Sequence, residues 1–297
     1  MVHAPNRPPA GAPPTRINLY SDTQTRPTPA MKEAMMRAEV GDEQHGDDPT
    51  VHELCDRMAA LMGKQAAMYL PSGTMCNVIA ILTHCGKGDE VIAHETSHIL
   101  HSEGGTHAAL TGVQIMPMRG PRGMFTADDV RAAIRPKTRY APPQRLLEVE
   151  QTANIGGGAI WPLAQLNAVA DVAHEQGWST HMDGARLMNA CVGAGISAKD
   201  MVAGMDSLWL DFTKGLGTGV GAEVGGERPL GMQRTAVAQI FFVDFGLNVA
   251  RAGIGAVVAH GLADLLGGQP ADDGGAGEQR DRQRREGGER RPQRDVA

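Results

Sequence analysis

The chain has 297 residues, 41% of them hydrophobic and 21% charged, with a formal net charge of −6. That balance suits a globular protein with a sizeable core and gives no global basic field for holding nucleic acid or an acidic membrane. Aromatic residues, at 4%, are too sparse for a base-stacking platform.

From Ile17 onward, strand-like and helix-like segments alternate. Pro29 to Ala38 reads as a short helix. Thr50 is the predicted N-cap of a second helix, which carries Leu54, Met58 and Met62 on one side and stops at Gly63. Ala66–Leu70 is a short apolar strand, and Pro71-Ser72-Gly73-Thr74 turns it into a helix that runs to about Cys85. Further strands are predicted at Glu90–Ala93, Val113–Met118 and Leu146–Glu150. Thr126 caps a helix whose first turn holds Asp128 and Asp129, favourable at its positive end. Pro162 to about Gln176 is the longest helical pattern. Trp178–Met182 is a strand ending at Asp183, and Ser207–Phe212 is a strand ending at Thr213-Lys214.

Strands alternating with helices predict an α/β fold with a mostly parallel central sheet covered by helices on both faces. Chemistry in such folds gathers at the carboxyl ends of the strands. Three polar groups sit at such ends: Ser72/Thr74, Asp183 and Lys214. A lysine at a strand terminus, partly desolvated and followed by the glycine-rich turn GLGTGVG, can form a Schiff base. An aspartate buried at a strand end needs a cationic partner. The ring nitrogen of pyridoxal phosphate is such a partner, and an aspartate there keeps the ring protonated as an electron sink. Strand, small hydroxylated turn, then helix is a phosphate site, because backbone N–H groups and the helix dipole face the anion. Each element alone is a common structural feature. Together, and in this chain order, they specify a pyridoxal phosphate site.

The segments SDTQTRPTPAM, GDDPTVHELCDRMAALMGK, LPSGTMCN, HMDGARLMNA and DFTKGLG resemble the motifs of pyridoxal phosphate-dependent threonine aldolases of fold type I. The resemblance runs from about Ile17 to Ala222. It implies retro-aldol cleavage of L-threonine, L-allo-threonine and related β-hydroxy-α-amino acids to glycine plus an aldehyde, by a homodimer or homotetramer. By the same resemblance, Lys214 matches the Schiff-base lysine and Asp183 the partner of the ring nitrogen. Gly73 and Thr74, with Ser72 before them, match the phosphate turn. His98 matches a histidine stacked on the ring. It either takes the proton of the substrate hydroxyl, directly or through water, or only stacks and orients. Arg186 matches an arginine beside the cofactor that helps to bind the substrate carboxylate, Ser21 a substrate-contacting serine, and Glu103 a glutamate close to the site. Two positions depart from the pattern. Tyr140 stands near where a histidine is frequent, and His45 where a tyrosine is common.

The chain is thus expected to consist of a disordered Pro-rich leader (1–15), a cofactor-binding large domain (16–222), a divergent, partly helical segment (223–267) and a disordered Gly/Arg-rich tail (268–297). Past Ala222 the motifs fade into Gly/Arg/Gln/Asp-rich sequence that resembles translation in a shifted frame. On that reading the family's small C-terminal domain is missing, and a catalytically impaired or inactive member is the alternative function. A second alternative is a zinc-dependent hydrolase, since His94-Glu95-x-x-His98 satisfies the H-E-x-x-H pattern. Cys55, Cys76, Cys85 and Cys191 suggest no disulfide framework, and no apolar run reaches the ~18 residues of a membrane span. A cytoplasmic location is expected.

Overall fold

The computed structural model describes residues 16–17, 19–42, 45–218 and 239–243, together with Gly11 and Pro13. The disorder expected of the leader and tail, and the expected absence of a small C-terminal domain, lie outside these residues. In chain order the elements are α1 (Pro29–Arg37), α2 (Pro49–Met62), β1 (Ala66–Leu70), α3 (Gly73–His84), β2 (Glu90–His94), α4 (His98–His101), β3 (Gln114–Met118), α5 (Ala127–Ala133), β4 (Gln144–Glu150), α6 (Leu163–Glu175), β5 (Ser179–Gly184), α7 (Leu187–Ala194), α8 (Ala198–Met201), β6 (Ser207–Asp211) and β7 (Gln239–Val243).

Local chemistry accounts for most of the boundaries. Thr126 and Asp129 form a reciprocal capping box at the start of α5, and Gly63 ends α2 in the left-handed conformation at φ 64°. The start of α2 corrects the sequence expectation. Asp48, not Thr50, is its N-cap and accepts the Val51 N–H at 3.0 Å. Pro49 fixes the reason: its locked φ suits the first helical position, so Thr50 already lies inside the helix.

The seven strands form one sheet in the order β1-β7-β6-β5-β4-β2-β3. β2, β3, β4, β5 and β6 run parallel. β7 is antiparallel to both neighbours, β1 and β6, so β1 points the same way as the parallel set. The expected fold class therefore holds, with one strand reversed. That strand comes from beyond Ala222, inside the segment expected to be divergent and partly helical.

The larger core cluster gathers Ile92, Leu147, Val149, Trp161, Leu166, Met182 and Leu208 among others. Burying such side chains contributes about 1.5–3 kcal/mol each. Period-2 alternation sorts β4, β5 and β6 into two kinds of face. Leu147, Val149, Met182, Leu208 and Leu210 belong to this apolar core. On the alternate positions lie Glu148 and Glu150, His181 and Asp183, and Ser207, Trp209 and Asp211, all buried. Register aligns them in rows, Glu148 with His181 and Ser207, and Glu150 with Asp183 and Trp209. The helix α3 meets this polar face through Asn77.

Candidate active site

Because β1, β2, β4, β5 and β6 share a direction, their carboxyl ends lie along one edge of the sheet. The residues that follow or end them are Ser72-Gly73-Thr74 after β1, His98 after β2, Glu150 on β4, Asp183 on β5 and Lys214 after β6. The topology therefore brings the expected Ser72, Gly73, Thr74, His98, Asp183 and Lys214 to one edge, with Glu150 beside them.

Asp183 lies at the core of the cluster. It is buried, at 3% exposure, and accepts hydrogen bonds from Asn77 Nδ2 at 3.1 Å and the Ala185 N–H at 3.1 Å. Burial raises its pKa, while the positive charges of His98 and Lys214 and these two donors pull it back. A carboxylate held by neutral donors at such depth is completed by a cation at contact distance. The protonated nitrogen of a pyridine ring meets that need, so the residues present fit pyridoxal phosphate.

Lys214 Nζ forms an ion pair with Asp211 Oδ2 at 2.9 Å and lies 5.5 Å from the centroid of the Trp209 ring. Asp211 is itself fixed by the Thr213 N–H and hydroxyl, both at 2.7 Å from Oδ1. The Thr25 hydroxyl donates to the carbonyls of Thr213 and Lys214, each at 2.8 Å, and ties the N-terminal segment to the lysine loop.

His98 Nδ1 pairs with Glu103 Oε1 at 2.8 Å, and the same oxygen accepts from Asn77 Nδ2 at 2.7 Å. Glu103 thereby raises the His98 pKa, against the opposing effect of burial. Ligating atoms of His98, Glu103 and Asp183 all fall within 4.8 Å of one another, as do those of Glu148, Glu150 and Asp183. Burial and the neighbouring Asp183 push Glu150 up to about 7. Burial and the neighbouring Glu150 push Glu148 well above the ordinary carboxylate value, and neither of its oxygens has a hydrogen-bond partner.

Ser72 caps α3 by accepting the Met75 N–H at 3.2 Å. The first-turn amides, those of Gly73 and Thr74, have no intrahelical partner and suit an anion. Arg186 makes a bidentate pair with Asp22 at 2.5 and 2.9 Å. The Ser21 hydroxyl caps the short turn Asp22–Gln24, beside a cavity of about 430 Å³ that Ser21, Asp22 and Thr25 help to line.

Tyr140 and His45 do not join this cluster. Tyr140 is exposed before β4, under the Arg139 guanidinium, and His45 pairs with Asp42 on the surface. The zinc pattern also fails in three dimensions. His94 ends β2 and His98 opens α4, so they are not one helical turn apart. Both His94 ring nitrogens are engaged, with Thr96 Oγ1 at 2.8 Å and the Gly120 carbonyl at 3.1 Å. Sequence reasoning missed Asn77, Glu150, Asp211 and Asp22 as site residues, although Asn77, Asp211 and Asp22 lie inside the motifs quoted for the resemblance and Glu150 ends a predicted strand. A signal was available for three of them: a polar residue at an alternate position of a buried strand, or on the inner face of an apolar helix.

The chain is 40% identical over 213 residues to a low specificity L-threonine aldolase of Escherichia coli, a match covering 71% of this chain and 63% of that protein. It is 39% identical over 216 residues to low-specificity L-threonine aldolase 1 of Arabidopsis thaliana, covering 71% of this chain and 60% of the other. The chain therefore spans less than two thirds of the length of these relatives. Among solved structures, the threonine aldolase of Leishmania major superposes with a TM-score of 0.65 at 19% identity, covering 81% of this chain and 66% of that one. This likeness extends to the fold, which is fold type I. The family model for beta-eliminating lyases matches residues 18–294, running past the point where the sequence motifs fade. On that match, the chain belongs to the beta-eliminating lyase family.

Proposed function

We propose that this chain binds pyridoxal phosphate and cleaves L-threonine, L-allo-threonine and related β-hydroxy-α-amino acids to glycine and an aldehyde. The observation that carries the reading is the placement of the buried Asp183 on β5, Lys214 just after the neighbouring parallel strand β6, and the Ser72-Gly73-Thr74 turn after β1, all at the carboxyl ends of one sheet. When bound, the coenzyme supplies a carbonyl for an amine and a ring that takes up the electrons of the broken Cα–Cβ bond.

The chain's own residues divide the remaining work. Lys214 anchors the coenzyme, with Asp211 holding its amine in place beforehand. Asp183 keeps a proton on the ring nitrogen. Ser72, Gly73 and Thr74 bind the phosphate at the positive end of α3. Arg186 binds the substrate carboxylate, and Ser21 borders the space that the substrate occupies. His98 Nδ1 is committed to Glu103, which leaves Nε2 as the atom to take the proton of the β-hydroxyl.

The likeness to named threonine aldolases over 71% of the chain supports this reading. Apolar side chains exposed along the N-terminal segment and α1 (Leu19, Tyr20, Met35 and Met36) support assembly into a homodimer or homotetramer. Four free cysteines support a cytoplasmic location.

Purified chain mixed with pyridoxal phosphate is expected to show an absorption band at about 410–430 nm and to release glycine from L-threonine. Lys214→Ala should abolish both. A wild-type chain that gives neither the band nor glycine overturns the proposal.

A further inference from the structure

A buried line of hydrogen bonds leads away from the cluster, between α3 and the sheet. Asn77 and His84 are seven residues apart on α3, two turns along one face. His181 and Ser207 are register partners on β5 and β6. His84 Nε2 lies 2.8 Å from Ser207 Oγ, Ser207 Oγ lies 2.8 Å from His181 Nδ1, and His181 Nε2 lies 3.2 Å from Asn77 Oδ1. Asn77 Nδ2 then reaches Asp183 at 3.1 Å and Glu103 at 2.7 Å. Asn77, His181 and Ser207 are each at most 1% exposed.

Donor and acceptor counting fixes the direction at Asn77, and the neutrality of the two buried rings carries it on to His84. The Trp209 indole N–H only donates, and it meets Asn77 Oδ1 at 2.7 Å. The amide oxygen of Asn77 therefore faces Trp209 and His181, and its NH₂ faces the carboxylates. His181 Nε2 must then carry a proton. Burial pushes His181 down to about 3 and His84 down to about 4, so both rings are neutral. A neutral His181 with Nε2–H accepts at Nδ1, and Ser207 donates its only proton there. Ser207 can then only accept from His84 Nε2–H. Every donor in the line points toward Asp183.

We propose that His84, Ser207, His181 and Asn77 form a one-way hydrogen-bond chain that fixes the rotation and the negative charge of Asp183, with His181 as its positioning residue. The proposal rests on the reading of Asp183 as the acid that holds the coenzyme ring nitrogen. Its physical basis is the crowding around that carboxylate. Glu150 is the register partner of Asp183 on the adjacent strand and Glu148 lies one row back, with carboxylate oxygens of all three within 4.8 Å of one another, and burial favours the uncharged acid. Aligned dipoles whose last donor, Asn77 Nδ2, is shared between Asp183 and Glu103 oppose both effects at Asp183 and polarise one another in a low-dielectric interior. None of the chain's members need touch the coenzyme or the substrate.

Two measurements on the full-length protein test it. In ¹⁵N-histidine-labelled protein, NMR should show His181 and His84 neutral near pH 7, each protonated at Nε2, with His181 Nδ1 accepting a hydrogen bond. The assignments come from His181→Gln and His84→Gln. Coenzyme affinity should fall about tenfold in His181→Leu and recover in His181→Gln, whose amide can donate to Asn77 at the same place. Ser207→Ala should fall between the two. Thermal unfolding of each variant identifies any loss that comes from misfolding. A charged His181, an Nδ1–H tautomer, or a folded His181→Leu protein with wild-type affinity overturns the chain. A wild-type protein that does not bind the coenzyme overturns the proposed function instead, and the tautomers then decide the direction of the chain alone.

Discussion

His98 and Glu103 form a 2.8 Å ion pair in which the histidine is partly exposed and the glutamate side chain is buried. Glu103 therefore acts on His98 with little screening by water, and the His98 pKa is raised chiefly through this hydrogen bond. A base must be uncharged to accept a proton, so the pair delays the onset of activity as pH rises.

Glu103→Gln should lower the His98 pKa and move the acid limb of the kcat/KM profile to lower pH. The shift expected for losing one buried charged partner is about one pH unit. A pH profile of glycine release measures it, with unchanged limb position as the contrary result.

Lys214 and Asp211 are a pair of the kind whose disruption is costly. Asp211→Ala leaves the lysine ammonium without its partner at 2.9 Å and also removes the acceptor for the Thr213 N–H and hydroxyl. We expect a loss of about 3 kcal/mol in urea unfolding, and a smaller loss for Asp211→Asn, which retains an acceptor.

Glu148 offers the opposite case. Its oxygens are buried with no hydrogen-bond partner, so Glu148→Leu should stabilise the protein, by about 1–3 kcal/mol near neutral pH. The pH dependence has a definite sign. With the folded-state pKa raised, the native protein keeps a proton that the unfolded chain releases above the ordinary value of 4.5. Stability conferred by that proton is present below this value and is lost as pH rises. Glu150 adds the same slope only up to about 7. The gain from Glu148→Leu should accordingly be larger at pH 8 than at pH 5, and equal gains would contradict the assignment.

Asp22 joins a short N-terminal turn to Arg186, 164 residues away. Asp22→Ala should release residues 20–26, and faster amide hydrogen exchange there, confined to that segment, is the expected signature. Because Arg186 holds the Asp22 pKa low, wild-type protein should show the same loosening only once acid protonates Asp22 below the ordinary 3.8.

The sequence made the parallel strands and their helices legible because their periodicities are strong and their caps follow simple chemistry, as at Thr126 and Gly63. Lys214, Asp183 and the Ser72 turn were legible as three groups at strand ends. Their convergence follows from strand direction, which local sequence does not state. Asn77 and His181 were hidden in plain view. Asn77 sits in a helix whose apolar neighbours dominate the pattern, His181 in the mostly polar strand STHMDG, and their role depends on the register between β5 and β6. The strand Gln239–Val243 was missed for a related reason. Its run QIFFV is short, and nothing in its immediate neighbourhood says that it belongs between β1 and β6, which lie far apart in the sequence.

That insertion bears on synthesis at the ribosome. β1 leaves the exit tunnel long before β7, its one hydrogen-bonded neighbour among the described strands, because Leu70 must wait for Gln239. Until then the growing polypeptide carries two bare strand edges, on β1 and on β6, at either side of a vacant slot. Such edges are templates for wrong pairing. A chaperone that shields the nascent polypeptide between those two moments would improve the yield of folded protein more than one added after release.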